Sequence, residues 1–141
     1  MQQESSPGTD GPSVAVSREA RMLRVVVRGV ASVDATRAYW SAIVAEAARD
    51  RPDYLLLVDE LRGPALGAED WRALVDRLVG TGLEAVRIAH VKPNGLDAVE
   101  HCELSARQHG FEARVFVDER AARLWLRYGE RPDDRARAVG D

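Results

Sequence analysis

Tyr54-Leu55-Leu56-Leu57-Val58-Asp59-Glu60 decides the fold. Leu55 to Val58 are apolar without a break, and the run ends on two acids. A strand with one wet face alternates, whereas a strand covered on both faces need not. The stretch is therefore expected to be the central strand of a sheet with helices on both faces. Asp59 and Glu60 mark its carboxyl end, the edge at which open α/β sheets usually place function.

On the amino-terminal side, Ser13–Arg18 alternates with Val14 and Val16 on one face, and Leu23–Arg28 alternates with Leu23, Val25 and Val27. The short gap between them predicts a hairpin, so the first strand should be an antiparallel edge. Gly29 should close the second strand. A helix follows over about 33–49, capped by Ser32, with Asp34 at its positive end and Trp40, Ile43, Val44 and Ala47 as its buried stripe. Pro52 prevents its continuation.

Beyond the central strand, Gly63, Pro64 and Gly67 break the chain. Trp71, Leu74, Val75 and Leu78 then give an i, i+3, i+4, i+7 face to a helix over about 68–79, with Gly80 suited to a left-handed stop. A strand is expected over 85–91, with Arg87 its polar exception. Asn94 and Asp97 resemble a capping box for a helix reaching about His109, with Leu96, Val99, Cys102 and Ala106 on its apolar face. A fifth strand over 111–117 leads to Asp118, the cap of a helix ending near Tyr128. The order β-β-α-β-α-β-α-β-α predicts an α/β fold: a five-stranded mixed sheet, the first strand an antiparallel edge and the others parallel, with four helices. Trp40, Trp71 and Trp125 fall on apolar helix faces and should be core; Tyr39 and Tyr128 are expected to be freer and suited to an interface.

The chain has 141 residues, enough for one domain, taken as 13–129 between polar tails 1–12 and 130–141 that are expected to be disordered. Hydrophobic residues make up 45% and the net charge is −3, a balance that favours a soluble domain and gives no general attraction to nucleic acid or anionic lipid. Lys92 is the only lysine and Cys102 the only cysteine, so no internal disulfide forms and a reducing compartment is expected. Residues 1–12 lack the apolar segment of a signal peptide, and no apolar run approaches a membrane span. The expected location is the cytoplasm.

Three stretches carry a family resemblance. Leu55-Leu56-Leu57-Val58-Asp59 is a buried strand ending in an acid. Arg87-Ile88-Ala89-His90-Val91 looks like the fourth strand of bacterial SpoIIAA-like proteins. Val115-Phe116-Val117-Asp118, followed by Ala121, Ala122 and Trp125-Leu126, is similar to the closing strand and helix of that group. Over about residues 14–128 the chain thus resembles the SpoIIAA-like (STAS) domain, and more distantly the CRAL-TRIO lipid-binding fold. The best-known members of the first family are anti-sigma factor antagonists, switched by phosphorylation of a serine at the start of the second helix. Here no serine or threonine occurs between Val58 and Gly80. Glu69 and Asp70 stand where an added phosphate would sit, and first-turn acids suit the helix dipole in any case.

The resemblance implies a non-enzymatic module that binds a protein partner or a small anionic or lipid ligand, without the serine switch. Its surface would be the loops 30–33, 59–67 and 91–96 at the strand ends, with Asp59, Glu60, Glu69, Asp70, His90, Lys92 and Asn94 as the candidate contact residues. Two alternatives stand beside it. One is a small enzyme using Asp59 and His90 for acid–base work, which requires both side chains in hydrogen-bond reach inside a closed pocket. The plainer view makes Asp59 the organiser of the Glu60–Gly67 loop and His90 a solvated strand-end residue. The other is a lipid carrier, which needs an apolar cavity. No catalytic residue, cofactor or metal is assigned: His101, Cys102 and His109 do not share one helical face, and Gly63 to Gly67 lacks the lysine and hydroxyl of a phosphate loop. The Asn94-Gly95 turn beside Lys92 could present amides to an anion, but is ordinary as a helix cap. The edge strand Ser13–Arg18 is open to pairing with a second copy, although Arg18 and the charged hairpin oppose it.

Overall fold

The computed structural model describes residues 12–63, 66–93 and 99–129. The expected tails, apart from Pro12, lie outside them. Strand β1 (Ser13–Glu19) turns through Ala20 and Arg21 into β2 (Met22–Val30). Helix α1 (Val33–Asp50), β3 (Tyr54–Arg62), α2 (Ala68–Leu78), β4 (Arg87–Val91), α3 (Val99–Gln108), β5 (Glu112–Phe116) and α4 (Glu119–Tyr128) follow. The strands lie in sequence order, β1 antiparallel to β2 and each later pair parallel. This is the five-stranded mixed sheet with four helices that the alternating pattern predicts.

Strand order dictates where the helices go. Stepping from β2 to β5 in one direction by right-handed crossovers puts every connecting helix on the same face. Accordingly Tyr39, Trp40 and Ile43 of α1, Trp71, Leu74 and Val75 of α2, and Ala106 of α3 pack with Leu23, Val25, Leu55, Leu57 and Ile88. Helix α4 follows the last strand and returns beneath the other face, where Ala122, Trp125 and Leu126 meet Val26, Leu56, Val58, Ala89 and Val91. The unbroken run in β3 is now explained: Leu55 and Leu57 serve the three-helix face, Leu56 and Val58 the α4 face.

Local chemistry sets the element ends. The Ser32 hydroxyl accepts from the Ala35 amide at 2.9 Å, and the Asp118 carboxylate from that of Ala121 at 2.8 Å, as expected of N-caps. Strands β2 and β3 run on to Val30 and Arg62, so Gly29 sits within β2 rather than closing it. Its φ of +134° and the approach of Pro12 Cα to 3.4 Å from where a Cβ would stand favour glycine there. The strand expected from residue 85 begins at Arg87 because Leu83–Ala85 forms a short 3-10 turn. Glu84 holds that turn by accepting from the amides of Gly80 (2.6 Å) and Gly82 (3.2 Å). Helix α3 is described from Val99; the expected Asn94 cap and Leu96 lie outside the described residues, as do the side chains of Val99, His101 and Cys102.

Arg87, the polar exception in β4, points to the α4 face. Its guanidinium carbon lies 5.6 Å from the Trp125 ring centroid, and it donates to the Leu126 carbonyl at 2.9 Å and to Glu112 at 3.0 Å. It so binds a carbonyl at the helix end that carries partial negative charge. On the outer edge of β5, Glu103 accepts from the Val115 amide at 2.9 Å and Arg107 donates to the Ala113 carbonyl at 3.2 Å, which closes that edge to strand addition.

Leu57 is fully buried at the centre of the sheet. Leu57→Ala should cost about 3 kcal/mol in equilibrium urea unfolding. Leu124→Ser, at a half-exposed position, should stay within about 0.5 kcal/mol.

Candidate functional site at the carboxyl ends of the strands

Asp59 is the buried polar residue on the three-helix side of β3, between Leu57 and Leu61. It lies two positions beyond Leu57, which is in register with His90 of β4. The carboxylate is 5% exposed and the imidazole 2%. A buried carboxylate needs hydrogen bonds on both oxygens, and Asp59 has them. Its Oδ1 accepts from the Leu61 amide at 3.1 Å. Its Oδ2 is 2.9 Å from His90 Nε2, 3.4 Å from the Tyr39 hydroxyl and 3.5 Å from Lys92 Nζ. These donors come from α1, from β4, from the residue just after β4, and from β3 itself.

The protonation states follow. Burial alone would raise the Asp59 carboxyl. The His90 hydrogen bond, the Lys92 ammonium and the Leu61 amide outweigh burial and hold it at about 2. Burial dominates at His90 and lowers its pKa against the pull of Asp59, so the ring is neutral near pH 7. An ionised carboxylate only accepts, so Nε2 carries the ring proton and donates it to Asp59. Lys92 is then the formal counter-charge. The ring stands edge-on to Trp71 and Trp40, with centroids 6.0 and 6.5 Å away.

Burial corrects the view of His90 as a solvated strand-end residue: α1 and α2 lay two tryptophans against it. Tyr39 is corrected likewise. It is completely buried and touches Asp59, while Tyr128 is indeed largely exposed. Tyr39 had a legible signal, since it lies four residues from both Ala35 and Ile43 on the buried side of α1.

The other candidates do not join this cluster. Glu60 points to the opposite face and pairs with Arg28 at 2.6 Å. Glu69 and Asp70 are exposed in the first turn of α2, whose Gly67 cap supplies no side chain. Lys92 is half-buried and bridges cluster and surface. Asn94 lies outside the described residues. His109, just past α3, is held against that helix, its Nδ1 2.8 Å from the Ser105 carbonyl. Beside His90 an apolar void of about 30 Å³ lies among Trp40, Trp71, Ile88, Phe111 and Val115, the space of a single water and far short of a lipid chain.

The sign of each shift gives a pH profile. His90 is lowered in the folded state, so the unfolded chain takes up a proton first, and stability should fall as pH drops below about 6.5. Asp59 is lowered from 3.8 to about 2, so its contribution, about 2 kcal/mol, is present above pH 4 and lost between about pH 4 and 2. Urea unfolding at a series of pH values should show both windows in the wild type. His90→Gln retains a donor but does not titrate, and should show only the lower one.

Comparison of the chain with protein-family models finds no match, and comparison with curated proteins finds none.

Proposed function

We propose that this chain is a non-enzymatic interaction module of the SpoIIAA-like kind. It presents the exit of β3 and the first turn of α2 to a protein partner. The observation that carries this reading is the sealing of the Asp59–His90 pair. Acid–base work needs the transferred proton within about 3 Å of the base, directly or through one water. A side chain 2% exposed between two tryptophans, with its Nε2 proton given to Asp59, offers no such approach. The enzyme alternative has the hydrogen-bond distance it needs, but not the access.

What the pair does do is fix the loop. By accepting from the Leu61 amide, Asp59 sets the chain direction out of β3. Exposed at this end of the sheet are Val30 (70%), Arg62, Glu69 and Asp70. The exposed acids of α2, with Val30 and Arg62 exposed at the ends of β2 and β3, suit a partner with a basic, partly apolar face. Acids in the first turn of α2 also give, without modification, the negative charge that a phosphorylated serine would add there. The small void in the core supports a protein partner over an enclosed lipid.

Glu69→Lys/Asp70→Lys reverses this charge without touching the buried cluster. It should cost no more than about 1–2 kcal/mol of stability through the helix dipole. In quantitative affinity capture from the native host, at least one partner should be retained by the wild type and lost by the variant. Identical partner sets for the two proteins would remove this surface from consideration.

A further inference from the structure

The two edges of the sheet differ. Along β5, side chains of α3 occupy the Val115 amide and the Ala113 carbonyl. Along β1, every second residue turns its amide and carbonyl away from β2. Outside the β1–β2 ladder, no backbone group of residues 13–19 is hydrogen-bonded among the described residues. Such a row is a template for another strand, and charged side chains commonly guard it.

The charges at this edge do not guard it. Arg18 lies on the three-helix face and pairs with Glu46 and Asp50 of α1. Glu19 lies on the α4 face and binds Arg123 at 3.0 Å. Both charges are tied down within the protomer, so the opposition expected of the charged hairpin is absent. Residues 13–17 carry no charge at all.

These five residues have a symmetry of their own. Ser13-Val14-Ala15-Val16-Ser17 is the same in both directions. A two-fold interface needs a self-complementary surface, and two copies of one strand paired antiparallel are related by a two-fold axis. An axis through Ala15 sets Val14 against Val16, Ser13 against Ser17, and Ala15 against its own copy. Val14 and Val16 are half-buried against the three-helix core, while Ser13, Ala15 and Ser17 are exposed on the other face. Valine then meets valine and hydroxyl meets hydroxyl, cross-strand pairs that stabilise sheets. Arg18 falls opposite Pro12, which has no amide to donate and so ends the pairing. An axis through Val16 would instead set Arg18 against Val14, and one through Val14 would set Val16 against Pro12.

We propose that two copies of this chain pair through β1, antiparallel and centred on Ala15, into one continuous sheet. Five paired residues from each copy make a small interface, so the dimer is weak, with a dissociation constant of about 10–100 μM. Because the β5 edge is closed, association stops at two copies. Residues 13–17 are no part of the proposed partner surface at the exit of β3 and the first turn of α2. The two readings therefore fail separately, and Glu69→Lys/Asp70→Lys should leave the dimer unchanged.

Sedimentation equilibrium of the full chain, from about 5 to about 500 μM, is the test. The wild type should pass from monomer to dimer across that range and form nothing larger. Two variants then charge the exposed face of β1. Ser13→Lys/Ser17→Lys brings lysine against lysine, and should raise the dissociation constant about tenfold or more. Ser13→Glu/Ser17→Lys brings glutamate against lysine at the same positions, and should bind as tightly as the wild type or more tightly. Far-ultraviolet circular dichroism checks that both are folded. If the double lysine variant fails to fold, Ala15→Lys replaces it, since it sets two lysines together on the axis. A wild type that stays monomeric throughout overturns the proposal. So does a dimer that the two variants weaken equally, or one that the double lysine variant leaves unchanged.

Discussion

One buried carboxylate holds the carboxyl end of this sheet together. Asp59 could not be ionised at 5% exposure without several donors, and it has four from separate positions along the chain. Satisfying it fixes the rotation of α1 through Tyr39, the height of β4 through His90, the approach of Lys92 and the path of β3 into its exit loop. Removing one partner of such a buried set is far more disruptive than removing an exposed pair. The exposed pairs of the hairpin and of α1, where Arg18 meets Glu46 and Asp50, are peripheral by comparison.

The two faces of the sheet divide the labour. Three helices cover one face and hold the Asp59 cluster; α4 alone covers the middle of the other. A single helix cannot span five strands, and the charged residues of β2 and β4 complete that side. Arg24 donates to both oxygens of Glu119 at 2.9 Å, Arg123 binds Glu119 and Glu19, and Arg87 holds the end of α4. These ties fix α4 at both ends around the apolar contact of Trp125 and Leu126. The carboxyl edge of the sheet is therefore carried by a layer packed from both sides, which holds its exit loops rigidly.

Periodicity made the architecture legible. Apolar runs, glycine and proline breaks and cap residues located every strand and helix, because each is set by neighbours in the chain. Errors arose where distant residues decide. Gly29 looked like a strand end, but pairing with Leu61 carries β2 through it. One error was local: residues 85 and 86 looked like strand, but their amides bond back to the Gly82 and Leu83 carbonyls in a 3-10 turn. His90 looked like a solvated strand end because no nucleophile or metal partner accompanies it in the sequence. Its burial comes from Trp40 and Trp71, which are remote in sequence. Arg87 was an unexplained exception until α4 brought Trp125 and the Leu126 carbonyl to it. The juxtaposition of Asp59 and His90 could be anticipated from strand order, but their sealing, and hence their role as an anchor, could not.

The Asp59 cluster rests on His90 being a neutral, inward-facing donor. Ring nitrogen-15 and carbon-13 NMR of His90 across a pH titration tests it most directly. The ring should be protonated on Nε2 near pH 7 and should take its second proton only with a midpoint below that of an ordinary histidine. A midpoint at or above about 6.5, or a ring protonated on Nδ1 with Nε2 bare, would contradict it.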